Sequence, residues 1–132
     1  MRYILLIFTL VLTTYTKDNY NRDDYEYDHN KARKYFIFFY DPYSGKTFYK
    51  TDDIEIDHIV PLSLAHKMGG YLWTPQQKKT FANDRENLIL VSKACNRSKG
   101  SKSIFQWIPK NTNYHAEYTK RYNYIIDKYK LK

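Results

Sequence analysis

The hydrophobic pattern changes its period several times along the chain, and each change marks a predicted element. Tyr3–Leu12 is a mostly apolar run behind the basic Met1-Arg2, and it ends in the polar Thr13-Thr14-Tyr15-Thr16. The run is shorter than the ~20 apolar residues a membrane helix needs. Residues 1–16 are therefore read as a removable signal peptide, and the mature protein as exported, with no stable membrane association after leader cleavage. Residues 17–34 are polar and densely charged and are expected to form a loosely attached arm. Tyr35–Tyr40 and Lys46–Lys50 read as strands joined by the turn Asp41-Pro42-Tyr43-Ser44-Gly45, in which Pro fixes φ and Gly takes the position that needs positive φ. Thr51–Val60 alternates, with Ile54 and Ile56 on one face and Glu55 and Asp57 on the other, until Pro61 stops it.

Helical signals follow. Ser63–Met68 precedes Gly69-Gly70, and Pro75–Ala82 has Thr74 as N-cap with Pro in the first turn. Leu88–Val91 is an apolar run of strand length. Ser92 as N-cap and Gly100 as C-cap bound a short helix over Lys93–Lys99. In Tyr114–Tyr129 the residues Tyr114, Tyr118, Tyr122, Ile125, Ile126 and Tyr129 recur at helical spacing. The order predicts an α+β protein with a small ββα core at about residues 52–100. An extra N-terminal hairpin and flanking helices complete one domain over residues 35–132.

Composition sharpens this picture. The chain has 132 residues, 42% hydrophobic and 27% charged, which suits one globular domain. Its single Cys excludes an intramolecular disulfide and any Cys-rich zinc module. A net charge of +8 and a pI near 9.4 favour a polyanionic partner, although AT-rich codons would also inflate Lys and the 15 Tyr. The distribution is more telling than the total. Residues 17–53 are nearly neutral, whereas Asn87–Ala116 contains no acid and carries Lys93, Arg97, Lys99, Lys102 and Lys110. That stretch reads as a phosphate-facing surface.

The chemistry concentrates nearby. Asp57-His58 ends a strand, Asn87 precedes the next strand, and Asn96 lies on the helix after it. A ββα unit can bring Asp57 and Asn96 together around one hard divalent cation, Mg²⁺ or Mn²⁺, through oxygen atoms. His58 would face the same cleft as a neutral general base, its other ring nitrogen held by a backbone carbonyl across the hairpin. Asn87 would tie the long loop to the hairpin through its amide. His66, Cys95, Trp73 and Trp107 are read as packing residues, and Lys78, Lys79 and Arg85 as solvated.

These residues stand in a recognisable order: Asp57-His58-Ile59-Val60-Pro61-Leu62, then Phe81-Ala82-Asn83-Asp84, Asn87-Leu88, Val91, Asn96-Arg97-Ser98-Lys99-Gly100 and Trp107-Ile108-Pro109. The stretch resembles the HNH endonucleases of the ββα-metal superfamily. Asp41–Lys46 and the Tyr-rich terminal helix resemble a subgroup of often secreted members. The resemblance implies that His58 activates water, Asp57 binds the metal, Asn87 positions the hairpin and the His, and Asn96 is the second metal ligand where many members carry His. It implies cleavage of phosphodiesters to a 5′-phosphate and a 3′-hydroxyl, with DNA the expected substrate and RNA a second one. Arg97, Lys99, Lys93 and Lys102 are expected to hold flanking phosphates, with little sequence specificity because no reader of base edges is apparent. The competing expectation is a non-catalytic basic protein that binds nucleic acid or anionic surfaces on the same scaffold.

Overall fold

The computed structural model describes residues 17, 19–33, 40–49 and 53–132. The signal peptide expected over 1–16 and most of the strand expected over Tyr35–Tyr40 lie outside them.

The centre is an antiparallel hairpin of β3 (Ile54–His58) and β4 (Leu88–Ser92), in register from Ile54 opposite Ser92 to His58 opposite Leu88. A smaller hairpin, β1 (Tyr40–Asp41) and β2 (Lys46–Thr47), precedes it. Its turn forms as the sequence predicts: the Asp41 carboxylate accepts from the Tyr43 amide and the Ser44 hydroxyl, and Gly45 sits at φ +73. The long connection between β3 and β4 carries α2 (Leu62–Lys67) and α3 (Pro75–Ala82). α3 starts where expected because Thr74 and Gln77 form a reciprocal capping box. β4 runs directly into α4 (Lys93–Lys99), whose N-cap Ser92 accepts from the Cys95 amide and whose C-cap Gly100 has φ +55. α5 (His115–Lys128) closes the chain. The result is the α+β architecture that the pattern predicts, built around a ββα unit.

Both faces of the β3–β4 hairpin are buried, and period-2 alternation sorts the side chains between them. Ile54, Ile56, Leu88 and Leu90 pack with Ala32 of α1 (His29–Arg33). Ile89 and Val91 face the larger core, with Tyr43, Phe81, Tyr118, Tyr122 and Ile125. Tyr118, Tyr122 and Ile125 form the buried stripe of α5, so these two tyrosines serve as core, while Tyr124 is exposed.

The polar arm departs from expectation. Described residues from Asn19 onward are docked on the domain. Tyr25 is fully buried in the main core, and its hydroxyl lies 3.1 Å from His66 Nδ1. The Asp28 amide donates to Asn83, and Lys79 pairs with Glu26 at 2.6 Å. Lys78, expected in solvent, is buried beside Asp24 with its ammonium over the Tyr25 ring. The reason lies in the aromatic residues scattered among the charges: Tyr20, Tyr25 and Tyr27 supply apolar area that a charge-based reading discounts.

α5 is pinned at its far end by Asp84. The Asp84 carboxylate accepts from Lys128 and from the Tyr129 hydroxyl, each at 2.7 Å, and from the Glu86 amide at 3.0 Å. Burial works against the charge, but these donors outweigh it and hold Asp84 below the usual carboxylate range.

Two tests follow from this packing. Tyr25→Ala should cost about 3 kcal/mol in urea unfolding if the arm is integral, and a loss below about 0.5 kcal/mol would show that it is not. For Asp84, the depressed folded-state value means that its stabilisation is complete above the unfolded value of about 4 and is lost as pH falls through the lower folded one. Asp84→Asn should therefore flatten the acid limb of the stability profile, and an unchanged limb would refute this assignment.

Candidate active site at the open end of the hairpin

Asn87 makes the geometry possible. It is fully buried, its Oδ1 accepts from the Val60 amide at 2.8 Å, and its Nδ2 donates to the Val60 carbonyl at 3.1 Å. The Asn87 carbonyl also accepts from the Ile59 amide at 2.8 Å. The side chain thus mimics one more rung of the β ladder and extends the pairing past His58 into the start of the long connection. This is the tie between loop and hairpin that the sequence reading assigns to it.

His58 is held where that rung leaves it. Its Nε2 lies 2.7 Å from the Ala82 carbonyl at the end of α3. A carbonyl only accepts, so Nε2 carries the proton and Nδ1 is left as the basic nitrogen. The expected backbone carbonyl is present, and α3 supplies it. The Tyr27 ring stands edge-on to the imidazole at 4.9 Å, with the Arg22 guanidinium over Tyr27 at 5.7 Å. Burial, with the nearby Arg22 and Lys99 charges, outweighs the Ala82 bond and pushes the His58 pKa down to about 4, so the ring is neutral at physiological pH.

Asp57 lies on the other face of β3. Its Oδ2 accepts from the Tyr43 hydroxyl at 2.8 Å, its Oδ1 accepts from Lys99 Nζ at 3.2 Å, and the Lys99 ammonium also pairs with Oδ2 at 3.0 Å. Lys99 Nζ also donates to the His58 carbonyl at 2.7 Å. Burial raises the Asp57 carboxyl and lowers the Lys99 ammonium, while their mutual attraction opposes both shifts. Tyr43 is driven well upward by burial and remains a neutral donor.

This corrects one expectation: Lys99 is not a phosphate contact. It is completely buried, and its ammonium donates to Asp57 Oδ1 and to the His58 carbonyl while standing 3.0 Å from Asp57 Oδ2, all inside the protein. Asn96, one helical turn earlier, faces the same way and donates from Nδ2 to Glu55 Oε2 at 2.8 Å. Two side-chain contacts, Asn96 to Glu55 and Lys99 to Asp57, therefore stitch α4 along β3.

Asp57, His58 and Asn96 line one cavity of about 370 Å³, together with Arg97, Ser101, Tyr20 and Arg22. Arg97 is exposed at its rim, and Lys102 is exposed with its ammonium on the Ser98 carbonyl. Lys93 is half-buried at the start of α4 and does not line the cavity. A larger cavity, about 590 Å³ beside Trp73 and Tyr129, has no carboxylate or histidine in its lining.

The donor set at the 370 Å³ cavity is one carboxylate and one carboxamide, both oxygen ligands. No cluster of three or more His, Cys, Asp or Glu suited to a metal occurs among the described residues. Such a pair fits a hard ion that keeps most of its water and does not fit zinc. Tyr43, Tyr27 and Arg22 are site residues that the sequence reading missed, and Lys99 is one to which it gave a phosphate instead of Asp57 as partner. The i, i+3 spacing of Asn96 and Lys99 puts both on one face of α4, the one local hint that Lys99 shares the orientation of Asn96.

Comparison with known proteins agrees with this geometry. The model of the GmrSD restriction endonucleases, C-terminal domain, matches residues 12–132. An "uncharacterized secreted protein" of Arthroderma benhamiae is 37% identical over 94 residues, covering 70% of this chain. The aligned region spans 46% of that relative's length. No solved structure matches the chain. The match over nearly all the residues that build the hairpin, the cavity and the terminal helix places this chain in the family of GmrSD restriction endonuclease C-terminal domains, a family of HNH-type nucleases.

Proposed function

We propose that the protein is a secreted, metal-dependent endonuclease that hydrolyses phosphodiester bonds of DNA, and of RNA as a second substrate, with little sequence specificity. The observation that carries the reading is the convergence of Asp57, His58 and Asn96 on one cavity with Arg97 at its rim. Export is supported by the relative described as secreted and by the apolar leader in the sequence. No helix among the described residues is long and apolar enough to cross a membrane.

His58 Nδ1 takes the proton of the attacking water while Nε2–H stays anchored on Ala82. A base whose pKa is pushed down is a weaker proton acceptor but is already in its working, neutral form. Asn87 keeps the imidazole at a fixed height by holding Val60. Asp57 and Asn96 would hold the divalent ion, which when bound supplies charge neutralisation for the phosphate and the departing 3′ oxygen. Arg97 offers a planar, bidentate hold on a flanking phosphate, and Lys102 and Lys93 extend the basic track.

One observation favours the competing reading of a non-catalytic nucleic-acid binder: the Asp57 carboxylate is already paired with the Lys99 ammonium, which stands within 3.2 Å of both of its oxygens. Plasmid nicking separates the two readings. The wild type should nick with Mg²⁺ or Mn²⁺ and stop with EDTA. His58→Ala should lose at least about a hundredfold in rate while retaining DNA binding. Cleavage by that variant at the wild-type rate would remove His58 from the mechanism, and absence of cleavage by the wild type under every divalent ion would leave the binder. For the basic track, Arg97→Ala should weaken DNA binding and reduce the salt slope by about one. An unchanged slope would place Arg97 off the substrate path.

A further inference from the structure

The charge on Asp57 is already matched by a cation that belongs to the chain. We infer that Lys99 is a positioning residue that acts as an internal stand-in for the divalent ion, holding Asp57 in place and setting how tightly the site takes a metal. The inference rests on the reading of Asp57 and Asn96 as metal ligands.

The geometry carries it. The Lys99 ammonium meets Asp57 Oδ2 at 3.0 Å, Asp57 Oδ1 at 3.2 Å and the His58 carbonyl at 2.7 Å. Two of these contacts are hydrogen bonds and the third an ion-pair contact, and the group is wholly buried. The contacts grip both the carboxylate and the backbone of the neighbouring His58. An unpaired Asp57 beside the apolar residues of the main core would be costly, because a buried carboxylate without a partner is strongly destabilised. Lys99 removes that penalty when no metal is bound.

The same contact opposes the metal. A carboxylate pair has about four lone-pair sites. Tyr43 occupies one on Oδ2 and Lys99 one on Oδ1, and the Lys99 charge also stands 3.0 Å from Oδ2. A divalent ion approaching Asp57 meets a unit positive charge at contact distance from the same oxygens, in a poorly hydrated setting where repulsion is weakly screened. The ion must therefore loosen the Lys99 contact to at least one carboxylate oxygen. Tyr43 differs because its hydroxyl carries no charge. Lys99 also differs from Arg97, Lys102 and Lys93, which have no contact with Asp57.

The test is metal affinity, measured apart from cleavage. Calorimetric titration of Mn²⁺ into the wild type, Lys99→Met, Tyr43→Phe and Asp57→Asn reads it directly, with circular dichroism to verify folding. Lys99→Met should bind Mn²⁺ about tenfold more tightly than the wild type, because the competing charge is gone. Tyr43→Phe should change affinity by less than about threefold, since it removes a neutral bond. Lys99→Met affinity equal to or weaker than that of an Mn²⁺-binding wild type overturns this inference and leaves the metal site standing. Absence of Mn²⁺ binding in both proteins overturns the metal site and the inference together.

If Lys99→Met does not fold, the wild type still decides. With ¹⁵N-labelled lysine, saturating Mg²⁺ should shift the buried Lys99 Nζ resonance and speed its proton exchange. A Lys99 signal unchanged at saturation overturns the inference.

Discussion

The arrangement depends on a single buried carboxamide. The connection from β3 to β4 carries two helices and would, on entropy alone, leave the end of the hairpin free to splay. Asn87 prevents this by pairing with both polar groups of Val60, as another strand residue would. Its full burial makes the bond hard to break, because an unsatisfied amide in that position is costly. Everything downstream is measured from that clamp: the height of His58 against α3, the direction in which Pro61 sends the chain, and the mouth of the cavity. A hydrophobic residue at 87 would fill the space and lose the alignment.

Charge is arranged around the site with little redundancy. On one face of β3, a neutral imidazole is screened from water by an aromatic ring and anchored to a helix-end carbonyl. On the other face, a carboxylate is matched by an ammonium and a phenol. The two faces meet only at the end of the strand, where the alternation of side chains breaks off and the backbone turns at Pro61. Two adjacent strand residues that line one cavity require such an end, because inside a regular strand the two side chains would diverge.

Much of this was legible in the residues. The boundaries of α3 and α4 follow from local chemistry, Thr74 with Pro75 and Gln77 in one case and Ser92 with Gly100 in the other. The alternation in β3 identified the strand, and the order of Asp57, Asn87 and Asn96 pointed to the end of the hairpin where Asp57 and Asn96 share a cavity, because periodicity and spacing are local or nearly so. Two things were not legible. Lys99 sits in a basic helix without acids, and composition assigns such a lysine to solvent. Only the packing of α4 across β3 shows that its stem runs inward. The arm failed for the opposite reason: its charges dominate any average, while three tyrosines do the packing. Tyr43 was visible as part of a turn, but its reach to Asp57 is a tertiary fact with no local signature.

The docked arm has a practical side. Tyr20 and Arg22 are walls of the cavity that Asp57, His58 and Asn96 line, although they stand far from its other residues in sequence. The amino-terminal segment is thus part of the cleft's architecture and cannot be treated as a disposable handle. Recombinant versions trimmed past Tyr20, or carrying a bulky tag just ahead of it, would expose the imidazole's surroundings to water and reshape the mouth of the cavity.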